Sequence, residues 1–442
     1  MTRKLILSTM AAALGGLLFG YETAIINGAL PFLTEYFDLT DLSKGTVVSA
    51  ALFGCIIGAI VMGRPGDRFG RLFMLKIMAI LFLVSAIGTG LAKGITMLVI
   101  FRFIGGIAVG GSSVLSPLYI AEISPAKLRG RLTITFQLAI VTGILLAFFV
   151  DYLLIESGEN NWRYMMLSMA IPAILFFTLL MFVVRSPRWL VKEGRIGDAK
   201  AVLSGLNRDA DPESMVEEIS RTLESGATEK FSSLLRKGNL KLVMIGLAVG
   251  MFNQFTGINV IMYYATDIFR SAGFSTNSAI GQTVIIGIVN LLFTILAMRL
   301  IDRIGRKKLL LTGTLGMSAF LGMFAFAFIS EAFPGWVLLI CLLGFAAFFA
   351  SSQGAVIWVL LAEIFPNDIR ARGTSLGSFS HWFFNGVTTF LYPILVGMFS
   401  SGKGTGYIFA FYAVATFISF FVFRKYLVEM KGRTLESVST SS

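Results

Sequence analysis

A single histidine in 442 residues leaves no set of imidazoles from which a histidine-rich metal site could be built. Only two cysteines occur, Cys55 and Cys341; both fall inside apolar runs and point to neither a disulfide framework nor a redox compartment. Charge is scarce too: 14% of residues are Asp, Glu, Lys or Arg, against 56% that are hydrophobic. A water-soluble domain of this length needs more charge to cover its surface. Also missing are a nucleophile–base arrangement, a Walker-type phosphate loop and a cofactor fingerprint, which argues against chemistry on a substrate, against an enzyme and against a cofactor. "GGIAVGGSS" (105–113) looks like a phosphate loop at first sight. It lies within an apolar helix and no Lys follows it, so close helix packing explains it better.

What the chain has instead is apolar runs of about twenty residues, the length that crosses a bilayer core. Runs separated by polar loops predict twelve spans, at 5–27, 46–62, 73–92, 95–121, 132–154, 163–184, 240–265, 279–300, 309–330, 335–362, 374–399 and 405–427. The first follows Arg3-Lys4, and the apolar stretch before Ala11-Ala12-Ala13 is too short for a cleaved signal, so the first helix is expected to stay. The fold class expected is an all-α integral membrane protein of twelve transmembrane helices in two six-helix bundles. Its parts are 1–184, a linker 185–239, 240–427 and a tail 428–442.

The net charge of +12 has a topological reading. With boundary residues counted into the nearest loop, 31 of the 37 Lys and Arg fall on the side that carries both termini. The positive-inside rule places that side in the cytoplasm, and no nucleic-acid partner is needed. The linker reads as short amphipathic helices, Gly197 to Leu206 and Pro212 to Leu223: either a cytoplasmic helical cap or a flexible connection.

Two loop patterns recur. "GRPGDRFGR" (63–71) and "RLIDRIGRKK" (299–308) share D-R-x-G-R, 235 residues apart. "EISPAKLRGR" (122–131) and "EIFPNDIRAR" (363–372) share E-I-x-P-x-x-x-R-x-R, 241 residues apart. Two unrelated patterns in the same order at nearly one offset predict a duplicated six-span unit. The glycine permits a tight turn, and the charges suit a ring of ion pairs at the inner helix ends. Asp67, Arg71, Glu122 and Arg129, with Asp302, Arg306, Glu363 and Arg370, are the candidate inner gate. Ordinary loop anchoring is the alternative for any one copy.

Amides inside spans mark a second candidate site: Gln137, the "NQFTGIN" stretch (253–259) with Asn253, Gln254 and Asn259, and Asn290. An amide donates and accepts, which suits a neutral polyhydroxylated ligand; interhelical hydrogen bonding is the alternative. Trp358 and Trp382 offer flat faces for a sugar ring, and Gly250 and Gly257 would let the seventh span bend. A third candidate is Glu22 in "GYETAIING" (20–28), facing Arg102 in span four. At 1.5 Å per residue both sit about 8–11 Å below the outer boundary. They read as the only clearly intramembrane acid and base of the amino-terminal half, either a proton site or a structural pair.

The loop motifs and their order resemble the sugar porter branch of the major facilitator superfamily over nearly the whole chain. "RSPRWL" (185–190) and "VEMKGRTLE" (428–436) are similar to its motifs after spans six and twelve, with Val184, Val428 and Arg185 departing from them. The resemblance implies the major facilitator fold, and sugar contacts at Gln137, Asn253, Gln254, Asn259, Asn290 and Trp358. It sets His381 where relatives carry Asn or Gln, so that this histidine is either a sugar contact or a packing residue. It also implies proton coupling through Glu22, where proton-coupled relatives carry Asp opposite an Arg. The function expected is a monomeric monosaccharide–proton symporter of a bacterial plasma (inner) membrane, its partners a sugar, a proton and the bilayer. A sugar uniporter and a sugar sensor of the same fold are the alternatives.

Overall fold

The structure, a computed structural model, describes residues 2–125, 128–207, 211–224, 234, 236–365, 369–399 and 402–427. Side chains at 224, 237–238, 302, 362–363 and 370–371 are outside that description. The motif at 428–436 and the expected tail therefore lie outside the described residues. Among those described there is no strand, and the helices follow one another as α1 (Arg3–Phe37), α2 (Asp41–Val61), α3 (Gly63–Phe69), α4 (Arg71–Gly90), α5 (Ile95–Ile123) and α6 (Arg129–Leu154). Next come α7 (Asn161–Ser168), α8 (Ala170–Leu179), α9 (Pro187–Lys192), α10 (Ile196–Leu206), α11 (Pro212–Glu224), α12 (Lys237–Gln254) and α13 (Ile258–Ser271). The remainder are α14 (Thr276–Ile304), α15 (Arg306–Ser330), α16 (Gly335–Ser351), α17 (Gln353–Glu363), α18 (Arg370–Gly397) and α19 (Gly404–Tyr426).

Among the described residues, eleven stretches are long and apolar enough to cross a membrane. Large apolar side chains stand exposed along them, Ile171 at 74% and Phe326 at 66% among them. Water would penalise such a surface, whereas lipid tails do not. The expected span 374–399 falls on α18, which is not among the eleven. Its Ser, Thr, Asn and His residues lower its hydropathy.

The chain forms two compact units, Met1–Ile26 with Ala50–Thr228, and Asn27–Ser49 with Glu229–Ser442. In the first, α2 and α5 meet through interlocked glycines. A Cβ on Gly106 would lie 1.9 Å from the Ala51 carbonyl oxygen, and one on Gly110 would lie 2.1 Å from that of Cys55. From the other side, Gly54 and Gly58 would meet Phe103 and Ile107 carbonyls at 2.2 and 2.3 Å. This is the packing expected of the 105–113 stretch. The linker helices α9 to α11 close over a small core of Leu190, Val191, Ala199, Leu203 and Val216. Ser186 caps α9 by accepting from the Trp189 N–H, with Pro187 already shaped for the first turn.

In the second unit, α1 continues unbroken through Pro31 to Phe37, ten residues beyond the predicted end of span one. Asn27, the predicted end, is buried and its Oδ1 accepts a hydrogen bond from the Thr266 N–H at 2.9 Å, so the amide oxygen is satisfied inside the protein while Nδ2 is buried without a partner. The seventh expected span is two helices, α12 and α13, joined at Gly257 in the left-handed region with φ +78°. Gly250 has a different role from the expected bend: its missing Cβ admits the Gly377 carbonyl and the His381 N–H of α18. The tenth expected span also breaks, at Ser352 between α16 and α17.

Candidate functional site

Charge inside the first unit is concentrated where α1 and α5 face each other. Arg102 Nη1 donates to Glu22 Oε1 at 2.7 Å and to the Glu22 carbonyl oxygen at 3.1 Å. Glu22 is 2% exposed and Arg102 1%, so the pair the sequence placed at one depth is a buried ion pair. Gly105, three residues after Arg102 on α5, leaves the room: a Cβ there would stand 2.9 Å from Glu22 Oε1. A buried pair of this kind adds little net stability, but removing one partner typically costs about 3–5 kcal/mol.

The pair is not alone in its half, as the sequence reading had it. Asp151, in the last turn of α6, is fully buried in the same unit. Its charge acts on the neighbouring Tyr21, whose hydroxyl is 2.6 Å from Ser168 Oγ. It did not stand out in the sequence, as it lies three residues from the expected end of span five.

In the second unit the amides form a directed chain. Asn259 Nδ2 donates to Gln254 Oε1 at 2.7 Å, Gln254 Nε2 to Asn253 Oδ1 at 2.9 Å, and Asn253 Nδ2 to Gln353 Oε1 at 3.1 Å. The second Gln254 amide hydrogen points at the His381 ring, 3.0 Å from Nδ1, so a ring nitrogen accepts and the imidazole is held neutral. His381 packs between Trp358 and Trp382, with ring centroids 4.8 and 5.4 Å away. Asn259 is half-buried whereas Gln254, Asn253 and Gln353 are buried, so Asn259 is the open end of the chain.

Gln353 escaped the sequence reading. It starts α17 just after the break at Ser352, and its Nε2 is buried without a hydrogen-bond partner. The signal that could have found it is a polar Ser-Ser-Gln stretch inside an otherwise apolar span. Asn290 is buried on α14 and, among the described residues, no hydrogen bond ties it to this chain. Gln137 lies half-buried on α6, in the first unit.

The candidate gate residues fall at helix ends. Arg71 pairs with Asp67 at 2.5 Å and approaches Glu122 at 3.1 Å, the second contact angled away from a hydrogen bond. Arg129 is exposed at the start of α6, and no described residue forms an ion pair with it. Arg306 Nη1 donates to the Ile301 carbonyl at 3.4 Å. Asp302, Glu363 and Arg370 are among the side chains outside the described residues. The two D-R-x-G-R glycines adopt one backbone conformation, Gly70 at φ 92°, ψ 142° and Gly305 at φ 96°, ψ 154°, each just before a span-length helix. Side chains with a Cβ rarely adopt it, which explains the glycine in both copies.

A family model described as Sugar (and other) transporter matches residues 8–441. A D-xylose-proton symporter of Escherichia coli is 38% identical, the alignment covering 97% of this chain and 94% of that protein. An arabinose-proton symporter of Bacillus subtilis is 35% identical, over 98% of this chain and 94% of its own. Among solved structures, the inward-open conformation of the xylose transporter XylE from E. coli superposes with a TM-score of 0.87 at 36% identity, covering 99% of both chains.

Proposed function

The chain belongs to the sugar (and other) transporter family, and on that premise we propose that it imports a monosaccharide by proton symport through alternating access. It is a membrane-spanning transporter, not an enzyme. The observation that carries the coupled reading is the buried Glu22–Arg102 pair: an intramembrane acid held by one base can take a proton and release that base. A pentose or hexose is the substrate, as the names of the relatives suggest. Uptake of labelled sugars into proteoliposomes, with and without a proton gradient, tests this. Uptake that ignores the gradient for every sugar carried would overturn the symport.

The finer architecture is part of the proposal. Taking α18 as a further span gives twelve crossings in two related bundles, 1–184 and 240–427, with the linker and tail between and after them. The shared conformation of Gly70 and Gly305 supports the repeat, and the Lys/Arg bias supports cytoplasmic termini in a plasma membrane. The protein acts as a monomer. Asn253, Gln254, Asn259, Asn290, Trp358, His381 and Trp382, with Gln137 on α6, are proposed to bind the sugar. Gln254→Ala or Asn259→Ala should weaken sugar binding by about 1–3 kcal/mol, because buried partners lose their hydrogen bonds. Equilibrium binding on purified, monodisperse variants reads this, and unchanged affinity would remove the residue from the site.

The gate is proposed from Asp67, Arg71, Glu122, Arg129, Asp302, Arg306, Glu363 and Arg370. Neutralising Arg129 or Arg370 should shift the population toward the inward-open state, since the lost pairs stabilise only the outward-facing one. Labelling of cysteines introduced on either side measures the shift. A variant as outward-open as the parent would count against the gate.

A further inference from the structure

Ser85 sits on α4 with no exposed surface, and its hydroxyl has no hydrogen-bond partner. A buried hydroxyl left unmatched is uncommon and calls for a reason. The reason lies across Gly105. A Cβ placed on that glycine would lie 2.4 Å from Ser85 Oγ and 2.9 Å from Glu22 Oε1, so both oxygens border the space its missing side chain leaves. One water at most separates them.

We propose that the Ser85 hydroxyl is the second partner of the Glu22 carboxyl, engaged when Glu22 carries a proton and lets go of Arg102. The proposal rests on Glu22 being the proton site. In the structure the carboxylate is occupied by Arg102, and Ser85 waits unpaired beside it. A protonated Glu22 no longer attracts Arg102 as an ion, and its O–H needs an acceptor in a place closed to solvent. Ser85 Oγ supplies that acceptor, directly or through one water. The proton stays on Glu22 throughout, so no bond to oxygen is broken on Ser85; its part is positioning.

The groups that act on Glu22 fit this division. Arg102 on α5 is the charged one, and the Cys55 thiol on α2 feels both members of the pair. From α4 the contribution is Ser85, which carries no charge to compete with Arg102. The hydroxyl can donate as well as accept, but with Glu22 paired to Arg102 it makes no hydrogen bond, so what it adds falls on the protonated state. Gly105 completes the device, because any larger residue would push the two oxygens apart.

The test is the pH dependence of proton-driven sugar uptake in proteoliposomes. Ser85→Ala removes one oxygen and should move the midpoint toward acid by about half to one pH unit, the worth of one net hydrogen bond. Maximal uptake should be regained at lower pH. Ser85→Thr keeps the hydroxyl and should hold the parent midpoint. An unshifted Ala variant overturns the proposal, and so does a Thr variant shifted like Ala, which would assign the effect to packing. Glu22→Gln run in parallel separates the two levels. If it still concentrates sugar, the Glu22 reading fails, whereas an uncoupled Gln variant beside an unshifted Ala variant sinks only the part given to Ser85.

Discussion

Glu22→Gln should abolish accumulation of sugar against its gradient while leaving counterflow exchange largely intact. The amide keeps the size of the carboxyl and stands in for its protonated form, so the carrier can still reorient when loaded. It cannot release a proton, and the gradient loses its grip. Exchange needs no net proton movement and continues. A purely structural pair predicts another result: with Glu22 gone, Arg102 would remain as a buried charge stripped of its carboxylate partner, at a cost of about 3–5 kcal/mol, and yield and every transport mode would fall together. Uphill uptake and counterflow in the same vesicles distinguish these. Glu22→Asp should keep partial coupling, since the shorter acid still titrates but reaches Arg102 less well. Concentrative uptake by the Gln variant would refute the assignment.

The second large effect is structural. Gly106→Leu should eliminate folded transporter, seen as loss of the monodisperse peak after detergent extraction. A Cβ at this position falls 1.9 Å from the Ala51 carbonyl oxygen, and backbone cannot swing aside as a side chain can. Ordinary overpacking costs about 1–3 kcal/mol because side chains adjust; here α2 and α5 would have to separate along their shared glycine seam. Gly322→Ala on α15 is the control, with open space where its methyl would go, and should be tolerated. Parent-like yield from Gly106→Leu would mean the two helices do not meet as described.

The Glu22–Arg102 pair was legible because helix rise converts residue counts into depth, and two charges at one depth in an oily bundle must meet. The amide chain was legible in membership and not in order. Asn253, Gln254 and Asn259 stood out as polar residues in one span, but which amide donates to which depends on the turn at Gly257. Gln353 was overlooked because the Ser-Ser-Gln interruption is only three residues long in a span otherwise apolar, and the break it marks at Ser352 shows only in the backbone. Asp151 was hidden by another effect, lying where a span end is expected to meet water. The extent of α1 was misread because Asn27 looked like a boundary, and its partner is a backbone N–H more than two hundred residues away. Long-range satisfaction of a polar group leaves no local trace.

The two free cysteines carry a practical consequence. Cys55 is 2% exposed and Cys341 1%, so each thiol is walled off from reagents. Maleimides and methanethiosulfonates attack thiolates they can reach, and thiols in apolar surroundings are inert to them. The native chain should therefore serve as a blank for thiol labelling, with single cysteines introduced elsewhere scored against a low background. Substituting Cys55 to obtain a formally cysteine-free protein would be the riskier choice, since its thiol is buried and feels both members of the Glu22–Arg102 pair.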